Sequence, residues 1–180
     1  VGFVRWSPDC KWLAFTLAHG GGMNEQVYLI RPDGTGQRRL TEGGKETYRL
    51  AGWSHDGRVL MVGSNRRTPS AIDAYTYDVA SGELRLVVKN RGVGGFTDLS
   101  RDGKRAVLFR LESRGDNNLF LVDLKDGSET LLTPHQPPGS FAGGVFSPDG
   151  STVYLSSNKD RDLNAFAKAT IGKDGRPGPI

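Results

Sequence analysis

The stretch Val145-Phe146-Ser147-Pro148-Asp149-Gly150 decides the fold, because its turn tetrapeptide recurs along the whole chain. The four copies are Ser7-Pro8-Asp9-Cys10, Ser54-His55-Asp56-Gly57, Ser100-Arg101-Asp102-Gly103 and Ser147-Pro148-Asp149-Gly150, and they begin 47, 46 and 47 residues apart. An apolar residue stands directly before the serine of every copy. So even a spacing predicts a protein built from structural repeats.

The tetrapeptide has the chemistry of a type I turn. Serine is favoured at the first position, proline is tolerated at the second, and glycine at the fourth position is free to adopt a positive φ. Cys10 occupies the glycine position in the first copy. A left-handed conformation at Cys10 would cost about 1 kcal/mol or somewhat more.

A second turn accompanies the first in every repeat. Its copies are Pro32-Asp33-Gly34, Ala80-Ser81-Gly82, Lys125-Asp126-Gly127 and Lys173-Asp174-Gly175, with glycines 48, 45 and 48 residues apart. Each repeat therefore has two turns at fixed positions, and the segments between them must be short.

Blocks rich in β-branched and aromatic residues flank these turns and predict four antiparallel strands in each repeat. First strands are predicted at Phe3 to Trp6, Leu50 to Trp53, Phe96 to Leu99 and Val145 to Phe146. Second strands are predicted at Trp12 to Leu17, Val59 to Val62, Ala106 to Leu111 and Thr152 to Leu155. Third strands are predicted at Val27 to Ile30, Tyr75 to Val79, Leu119 to Asp123 and Phe166 to Thr170, and fourth strands at Arg38 to Thr41, Leu84 to Val88 and Thr130 to Thr133.

Four strands in a unit of this length are typical of a β-propeller blade. The sequence therefore predicts an all-β segment of about four blades, at approximately 1–46, 47–92, 93–139 and 140–180. The last blade is predicted to be incomplete, because the sequence stops where its fourth strand should begin. Because propellers close into rings that protect their edges, we expect the segment to belong to something larger.

The composition excludes several classes of protein. Of the 180 residues, 36% are hydrophobic, 25 are glycine and one is cysteine, and the net charge is +4. The short apolar blocks argue against disorder and against a membrane helix, and the scattered basic residues argue against nucleic-acid binding. The single cysteine and the lack of a signal peptide favour a cytoplasmic protein, although Val1 in place of a start methionine indicates a cut at the front. The oligomeric state, including a homo-oligomer, stays open.

Two sets of residues resemble known families. The turns at Trp6-Ser7-Pro8-Asp9 and Phe146-Ser147-Pro148-Asp149-Gly150, the run Asn118 to Asp123 and the closing Leu131-Leu132-Thr133 resemble the Tol-system type of propeller repeat. The segments Thr133-Pro134-His135, Gly139-Ser140-Phe141 and Ser156 to Asp162 resemble the propeller of the prolyl oligopeptidase family, especially its acylaminoacyl-peptidase-like members.

The second resemblance implies a parent serine peptidase. In that family a propeller caps an α/β-hydrolase domain with a Ser-Asp-His triad and admits mainly short peptides. The nucleophile lies in a Gly-x-Ser-x-Gly elbow, and this sequence contains none. The resemblance thus implies a non-catalytic, substrate-filtering part of a peptidase, whose partners are the hydrolase domain and an oligopeptide substrate. The alternative is a Tol-like scaffold that binds proteins.

We predict no catalytic, cofactor or metal site in this chain. His19-Gly20-Gly21-Gly22 matches an oxyanion-loop string but has no neighbouring elbow, so a hairpin loop is favoured. Asp160, Asp162 and Asn164 alternate as in a calcium loop, but alanine and isoleucine stand at its glycine and last-ligand positions. The other candidates are given structural roles. We expect His19, His55 and His135 at the surface, and Gly92-Val93-Gly94-Gly95 as the entry to the third blade. We expect His135 to Gly139 to form a stiff connector, and Cys10 to be a packed or turn cysteine.

The large apolar residues near the serine turns recur at the repeat spacing. They are Trp6, Trp53, Phe96 or Leu99, and Phe146. Residues at one place in successive blades would pack between neighbouring sheets, so we predict all of them to be core residues.

Overall fold

The computed structural model describes residues 1–20 and 22–180, and within them it has fifteen β-strands. The strands are β1 Val4–Trp6, β2 Leu13–Ala18, β3 Glu25–Ile30, β4 Arg38–Arg39, β5 Tyr48–Trp53, β6 Val59–Ser64, β7 Asp73–Asp78, β8 Leu84–Val88, β9 Gly94–Leu99, β10 Arg105–Ser113, β11 Asp116–Asp123, β12 Glu129–Leu131, β13 Phe141–Phe146, β14 Thr152–Ser157 and β15 Ala165–Thr170. Every predicted strand is present, and most are longer than predicted because polar and glycine residues extend the ladders at their ends. No helix among the described residues is long and apolar enough to cross a membrane.

The strands form four antiparallel sheets in which neighbouring strands are also neighbours in sequence. The orders are β1-β2-β3-β4, β5-β6-β7-β8, β9-β10-β11-β12 and β13-β14-β15, and an isolated bridge between Ile171 and Pro177 follows the last sheet. The chain divides into two compact units, Val1–Arg91 and Gly92–Ile180, with two sheets in each. A sheet of sequential antiparallel strands is the form of a propeller blade.

Each unit has its own apolar core between its two sheets. In the first unit, Val27 and Leu29 of β3 pack with Tyr48 and Leu50 of β5. In the second unit, most of the core side chains come from β10, β11, β13, β14 and β15. The core side chains of this unit are Val107, Leu119, Leu121, Leu132, Phe141, Phe146, Val153, Leu155, Ala169 and Ile171. Alternation along each strand sends these side chains to one face, so the burial of that face stabilises the sheet pair.

A β-bulge in β13, the first strand of the last sheet, allows this strand to approach the sheet of β9 to β12. The register between β13 and β14 shifts between Gly143 and Val145, and Gly144 adopts φ 85°. The Thr97 hydroxyl donates to the Gly144 carbonyl at 2.9 Å, and a Cβ at Gly144 would lie 2.6 Å from Val107 Cγ1. Glycine is required here both for its backbone conformation and for the close approach of the two sheets of the second unit.

The predicted serine turn is present in all four repeats. Its serine hydroxyl donates to the aspartate two residues later at 2.6 to 2.7 Å and accepts the N–H of the residue five positions on. In the last copy, hydrogen bonds from Ser147 and Ser151 lower the pKa of Asp149 to about 2. Local hydrogen bonds therefore explain why serine and aspartate recur at this spacing.

The fourth position of the turn is left-handed in every copy, including the first. Cys10 has φ 58°, compared with 71° at Gly57. We expect Cys10→Gly to stabilise the first unit by about 0.5 to 1 kcal/mol, since relief of the strain exceeds the added entropy of the unfolded chain. Urea unfolding followed by tryptophan fluorescence measures the change. The matched control is Gly57→Ala, which should destabilise by about 1 kcal/mol; equal and small changes in the two variants would contradict the strain.

The core prediction holds in three of the four repeats. Phe96, Leu99 and Phe146 are buried, and Trp53 is partly buried against the first core. Trp6 is 55% exposed, so its assignment to the core is wrong. Trp6 pairs with Leu13 on the face of the first sheet opposite to the core residues Ala14 and Leu29.

Candidate functional site

The segments that carry the peptidase-like resemblance meet at one cleft in the second unit. The connector between β12 and β13 forms one wall, and the loop after β14 forms the other. The cleft has a volume of about 440 Å³ and is lined by Pro134, His135, Gln136, Pro138, Gly139, Asn158, Lys159 and Asp160. This cleft is the candidate functional site.

Reciprocal hydrogen bonds join the two walls. The Ser140 N–H donates to Asn158 Oδ1 at 2.7 Å, and the Asn158 N–H donates to the Ser140 carbonyl at 3.2 Å. The Pro137–Pro138 peptide bond is cis, and Asp160 adopts φ 58°. The Arg161 N–H closes the loop on the Asn158 carbonyl at 3.1 Å. Hydrogen bonds within the chain thus hold the backbone of both walls in place.

An aspartate–histidine pair joins the connector to the start of β11. His135 Nε2 is 2.8 Å from Asp116 Oδ1, and His135 Nδ1 is 2.8 Å from the Thr133 carbonyl oxygen. The Gly139 N–H donates to the same Asp116 oxygen at 2.8 Å. The His135 ring lies 4.8 Å from the ring of Phe141, and its side chain is only 6% exposed. The expectation of a surface histidine is therefore wrong for His135, whereas His19 and His55 are exposed as predicted.

Glycine at position 139 makes this arrangement fit. A Cβ at Gly139 would collide with the ring of His135, and it would lie 2.9 Å from the ring of Phe141. The connector can therefore fold over the histidine only with glycine at this place. The hydrogen bonds around Asp116 depend on that close approach, since the Gly139 N–H is one of the donors to Asp116.

The pair perturbs the protonation of both members. The hydrogen bond from His135, followed by that from the Gly139 N–H, lowers the pKa of Asp116. Burial alone lowers the pKa of His135, but the hydrogen bonds to the Thr133 carbonyl and to Asp116 outweigh burial and raise that pKa above its usual value of 6.5. The Lys159 ammonium opposes this increase. Both members of the pair are therefore favoured in their charged forms.

This pair is unsuited to act as a catalytic base. A general base needs a free ring nitrogen that accepts a proton from the nucleophile. Both nitrogens of His135 already face acceptor oxygens, at Thr133 and Asp116. Within the described residues the cleft thus has an aspartate–histidine pair with no nitrogen available to a serine.

A related polar cluster in the first unit was missed in the sequence. Asp73, the first residue of β7, is fully buried and accepts hydrogen bonds from Arg67 at 2.6 and 2.9 Å. The Asn90 N–H donates to Asp73 at 2.7 Å, and Arg67 also donates to the Asn90 carbonyl at 2.8 Å. Asp116 is likewise the first residue of its strand, β11. The signal was an aspartate at the start of the third strand in two successive repeats.

In the first sheet, an amide side chain takes the place of the aspartate. Gln26, near the start of β3, donates to the Glu46 carbonyl at 2.8 Å and accepts from the Thr41 hydroxyl at 2.7 Å. In all three sheets, a polar side chain at the start of the third strand holds the segment that follows the fourth strand. These side chains position the segments after the fourth strands, and in the second unit the segment held by Asp116 is one wall of the cleft.

The remaining sequence candidates lie apart from the cleft or at its rim. His19, Gly20 and Gly22 lie in the loop of the β2–β3 hairpin, as predicted, whereas Gly21 lies outside the described residues. Gly92 to Gly95 lead into β9, and Cys10 is exposed in its turn. Asp160, Asp162 and Asn164 lie in the β14–β15 loop. In the part of the chain that is described, no three His, Cys, Asp or Glu side chains are grouped to hold a metal ion.

Comparison with known proteins gives relatives of two kinds. No family model matches the chain. It is 27% identical over 180 residues to dipeptidyl aminopeptidase BIII of Pseudoxanthomonas mexicana, a match that covers 95% of this chain and 25% of that protein. It is also 26% identical over 100 residues to the Tol-Pal system protein TolB of Wolinella succinogenes, covering 56% of this chain and 23% of that protein. The chain thus spans about a quarter of the length of these curated relatives.

Solved structures agree on the fold. Oligogalacturonate lyase from Vibrio parahaemolyticus has a TM-score of 0.76 at 18% identity, covering 97% of this chain and 50% of that chain. A puromycin hydrolase has a TM-score of 0.70 at 19% identity, covering 98% and 28%. TolB from Acinetobacter baumannii has a TM-score of 0.67 at 24% identity, covering 98% and 41%. The predicted β-propeller segment is confirmed, as is the resemblance to the propellers of prolyl oligopeptidase-type peptidases.

Proposed function

We propose that this chain is the propeller part of a serine peptidase that cleaves short peptides. The observation that carries the proposal is the match to a dipeptidyl aminopeptidase over 95% of the chain. The cleft adds support, since the segments that resemble the peptidase family form its two walls.

The proposed role of the chain is steric. Hydrolysis would proceed by acyl transfer through a serine, with a histidine base and an oxyanion hole, in a separate α/β-hydrolase domain of the same parent protein. Asp116 and His135 would position the loops next to the cleft and would take no part in bond breaking. The propeller would restrict which peptides reach the nucleophile. We retain the cytoplasm as the predicted location.

The test compares the 180-residue chain with the complete product of its gene. We expect the complete product to react with a serine-directed fluorophosphonate and to release p-nitroaniline from dipeptidyl p-nitroanilides, because its hydrolase domain would supply the nucleophile. The 180-residue chain should do neither. Labelling of the isolated chain would overturn the assignment of catalysis to another domain, and an unreactive complete product would overturn the peptidase proposal.

A second candidate function is a non-enzymatic propeller that binds other proteins. Its support is the match to TolB of Wolinella succinogenes and the fit of TolB structures over 98% of the chain. The same experiment separates the two functions, since a scaffold would show no reaction with the fluorophosphonate in any form. A complete product without a Gly-x-Ser-x-Gly elbow would favour this candidate.

A further inference from the structure

The hydrogen bonds of His135 require a proton on each ring nitrogen. Nδ1 faces the Thr133 carbonyl and Nε2 faces a carboxylate oxygen of Asp116, both at 2.8 Å. A carbonyl and an ionised carboxylate only accept hydrogen bonds, so both nitrogens must donate. Only the imidazolium form donates from both. A neutral ring would leave either the Thr133 carbonyl or Asp116 without the hydrogen bond that His135 donates to it.

Several hydrogen bonds fasten the connector, and two of them go to Asp116. His135 and Gly139, both in the connector, donate to the same oxygen of Asp116 at the start of β11. The neighbouring Asn117 holds the next residues, since its side chain donates to the Phe141 carbonyl at 2.7 Å and accepts the Phe141 N–H at 3.1 Å. The ends of the segment 133–139 have further hydrogen bonds, since the Leu119 N–H donates to the Thr133 hydroxyl at 2.9 Å and the Asn117 N–H donates to the Gly139 carbonyl at 3.0 Å. The His135 side chain and the Gly139 N–H are the groups of this segment that Asp116 holds.

We propose that Asp116 and His135 form a proton-dependent clasp, which holds the 133–139 connector against β11 when the imidazole is charged and loosens it when the proton is lost. The connector is one wall of the cleft, so the clasp acts on that wall. The proposal goes beyond the proposed function, because it holds for a peptidase propeller and for a binding scaffold alike.

The charges that face His135 come from two elements. Asp116 at the start of β11 favours the imidazolium, and Lys159 in the loop after β14 opposes it. Asp160 lies next to Lys159 on the same wall of the cleft. The other groups in contact with the ring, the Thr133 carbonyl and the Phe141 ring, carry no charge.

The direction of the pH dependence follows from the two pKa shifts. The pKa of His135 is raised above 6.5, so its contribution is complete below pH 6.5 and is lost as the pH rises through the folded-state pKa. The pKa of Asp116 is lowered from 3.8, so its contribution is present above pH 3.8 and is lost as the pH falls through the folded-state pKa. The clasp is therefore strongest in mildly acidic solution and weakens on the alkaline side.

The first unit supplies an internal control. There Asp73 takes the place of Asp116, and the Asn90 N–H donates to it as the Gly139 N–H donates to Asp116. Its cation is Arg67, whose guanidinium stays charged throughout the pH range of interest. This second fastening should therefore be indifferent to pH where the clasp responds.

Amide hydrogen exchange, followed by NMR in the 180-residue chain between pH 5.5 and pH 9, tests the clasp; these limits are set about the ordinary histidine value of roughly 6.5. After correction for intrinsic exchange, we expect the protection of the Gly139 amide to fall by about tenfold as His135 loses its proton. The protection of the Asn90 amide should stay constant. A constant Gly139 protection would overturn the clasp, and so would a parallel loss at Asn90, which would indicate loosening of the whole chain.

Two variants sharpen the result. In His135→Gln the pH dependence at Gly139 should vanish, because glutamine does not titrate. In Asp116→Asn the pKa of His135, read from its ring ¹⁵N shifts, should fall relative to the unmodified chain. An unchanged pKa in Asp116→Asn would contradict the pairing. Should either variant fail to fold, the exchange data on the unmodified chain still decide the matter.

Discussion

Replacement of Phe146 by alanine is expected to destabilise the second unit by about 3 to 5 kcal/mol. The ring is only 6% exposed and belongs to the core between the two sheets of that unit. Phe146 pairs across the ladder with Val153, which is fully buried, so alanine would leave a cavity beside a buried side chain. Collapse around such a cavity is incomplete, which adds to the lost transfer energy.

Phe166→Ala in β15 is the matched control. It removes the same side chain from the same unit, but Phe166 is 78% exposed and touches mainly Tyr154, so the change should stay below about 1 kcal/mol. Denaturant unfolding should be followed by far-UV circular dichroism, because all three tryptophans (Trp6, Trp12 and Trp53) lie in the first unit. Similar losses in the free energy of unfolding of the two variants would contradict the assignment of Phe146 to the core.

Arg67→Ala is expected to destabilise the first unit by about 3 kcal/mol. The substitution removes three hydrogen bonds, two to Asp73 and one to the Asn90 carbonyl. Asp73 is fully buried, and it would keep the Asn90 N–H but lose its cation. A buried carboxylate without a counter-charge is costly, although the partial exposure of Arg67 keeps the effect at the lower end of the usual range.

The adjacent arginine provides the comparison. Arg66 forms an ion pair of 4.0 Å with Glu42, which is largely exposed, so Arg66→Ala should change the free energy of unfolding by less than about 1 kcal/mol. Both variants are read from urea unfolding with tryptophan fluorescence. If Arg66→Ala lowered the free energy of unfolding as much as Arg67→Ala, or if Arg67→Ala hardly changed it, the proposed contribution of the Asp73 cluster to the stability of the first unit would be contradicted.

The strands and turns could be predicted because they depend on local chemistry. The serine turn is fixed by hydrogen bonds within six residues, as between Ser147, Asp149 and Thr152. Such a signal survives in the sequence whatever the rest of the chain does. The same argument explains Cys10, whose left-handed φ follows from its place in the turn despite its side chain.

Burial was predicted less well, because it depends on what lies opposite a residue. Trp6 and Phe146 occupy the same position in the repeat, but their surroundings differ. Phe146 shares a face with Val153, and that face belongs to the core of the second unit. Trp6 lies on the face of the first sheet that is turned away from the core of the first unit. The repeat pattern shows which residues are equivalent, and it does not show which face of each sheet is covered.

The candidate site was predicted only in part. The segments around His135 and Asn158 were singled out by resemblance, and the structure brings them to one cleft. The pairing of His135 with Asp116 was missed, because nineteen residues and a complete strand separate the two side chains. No spacing rule links such positions, whose contact arises from the way β12 returns along β11.

Every sheet is formed from one continuous stretch of chain, with each strand hydrogen-bonded to the strand that follows it. Each repeat can therefore acquire its ladder before the rest of the polypeptide has been synthesised, which shortens the time that unpaired edges are available for aggregation. A gene that gains or loses one whole repeat leaves the ladders of the other repeats intact. Architectures of this kind can change length in steps of a single blade while the interior of every remaining blade is preserved.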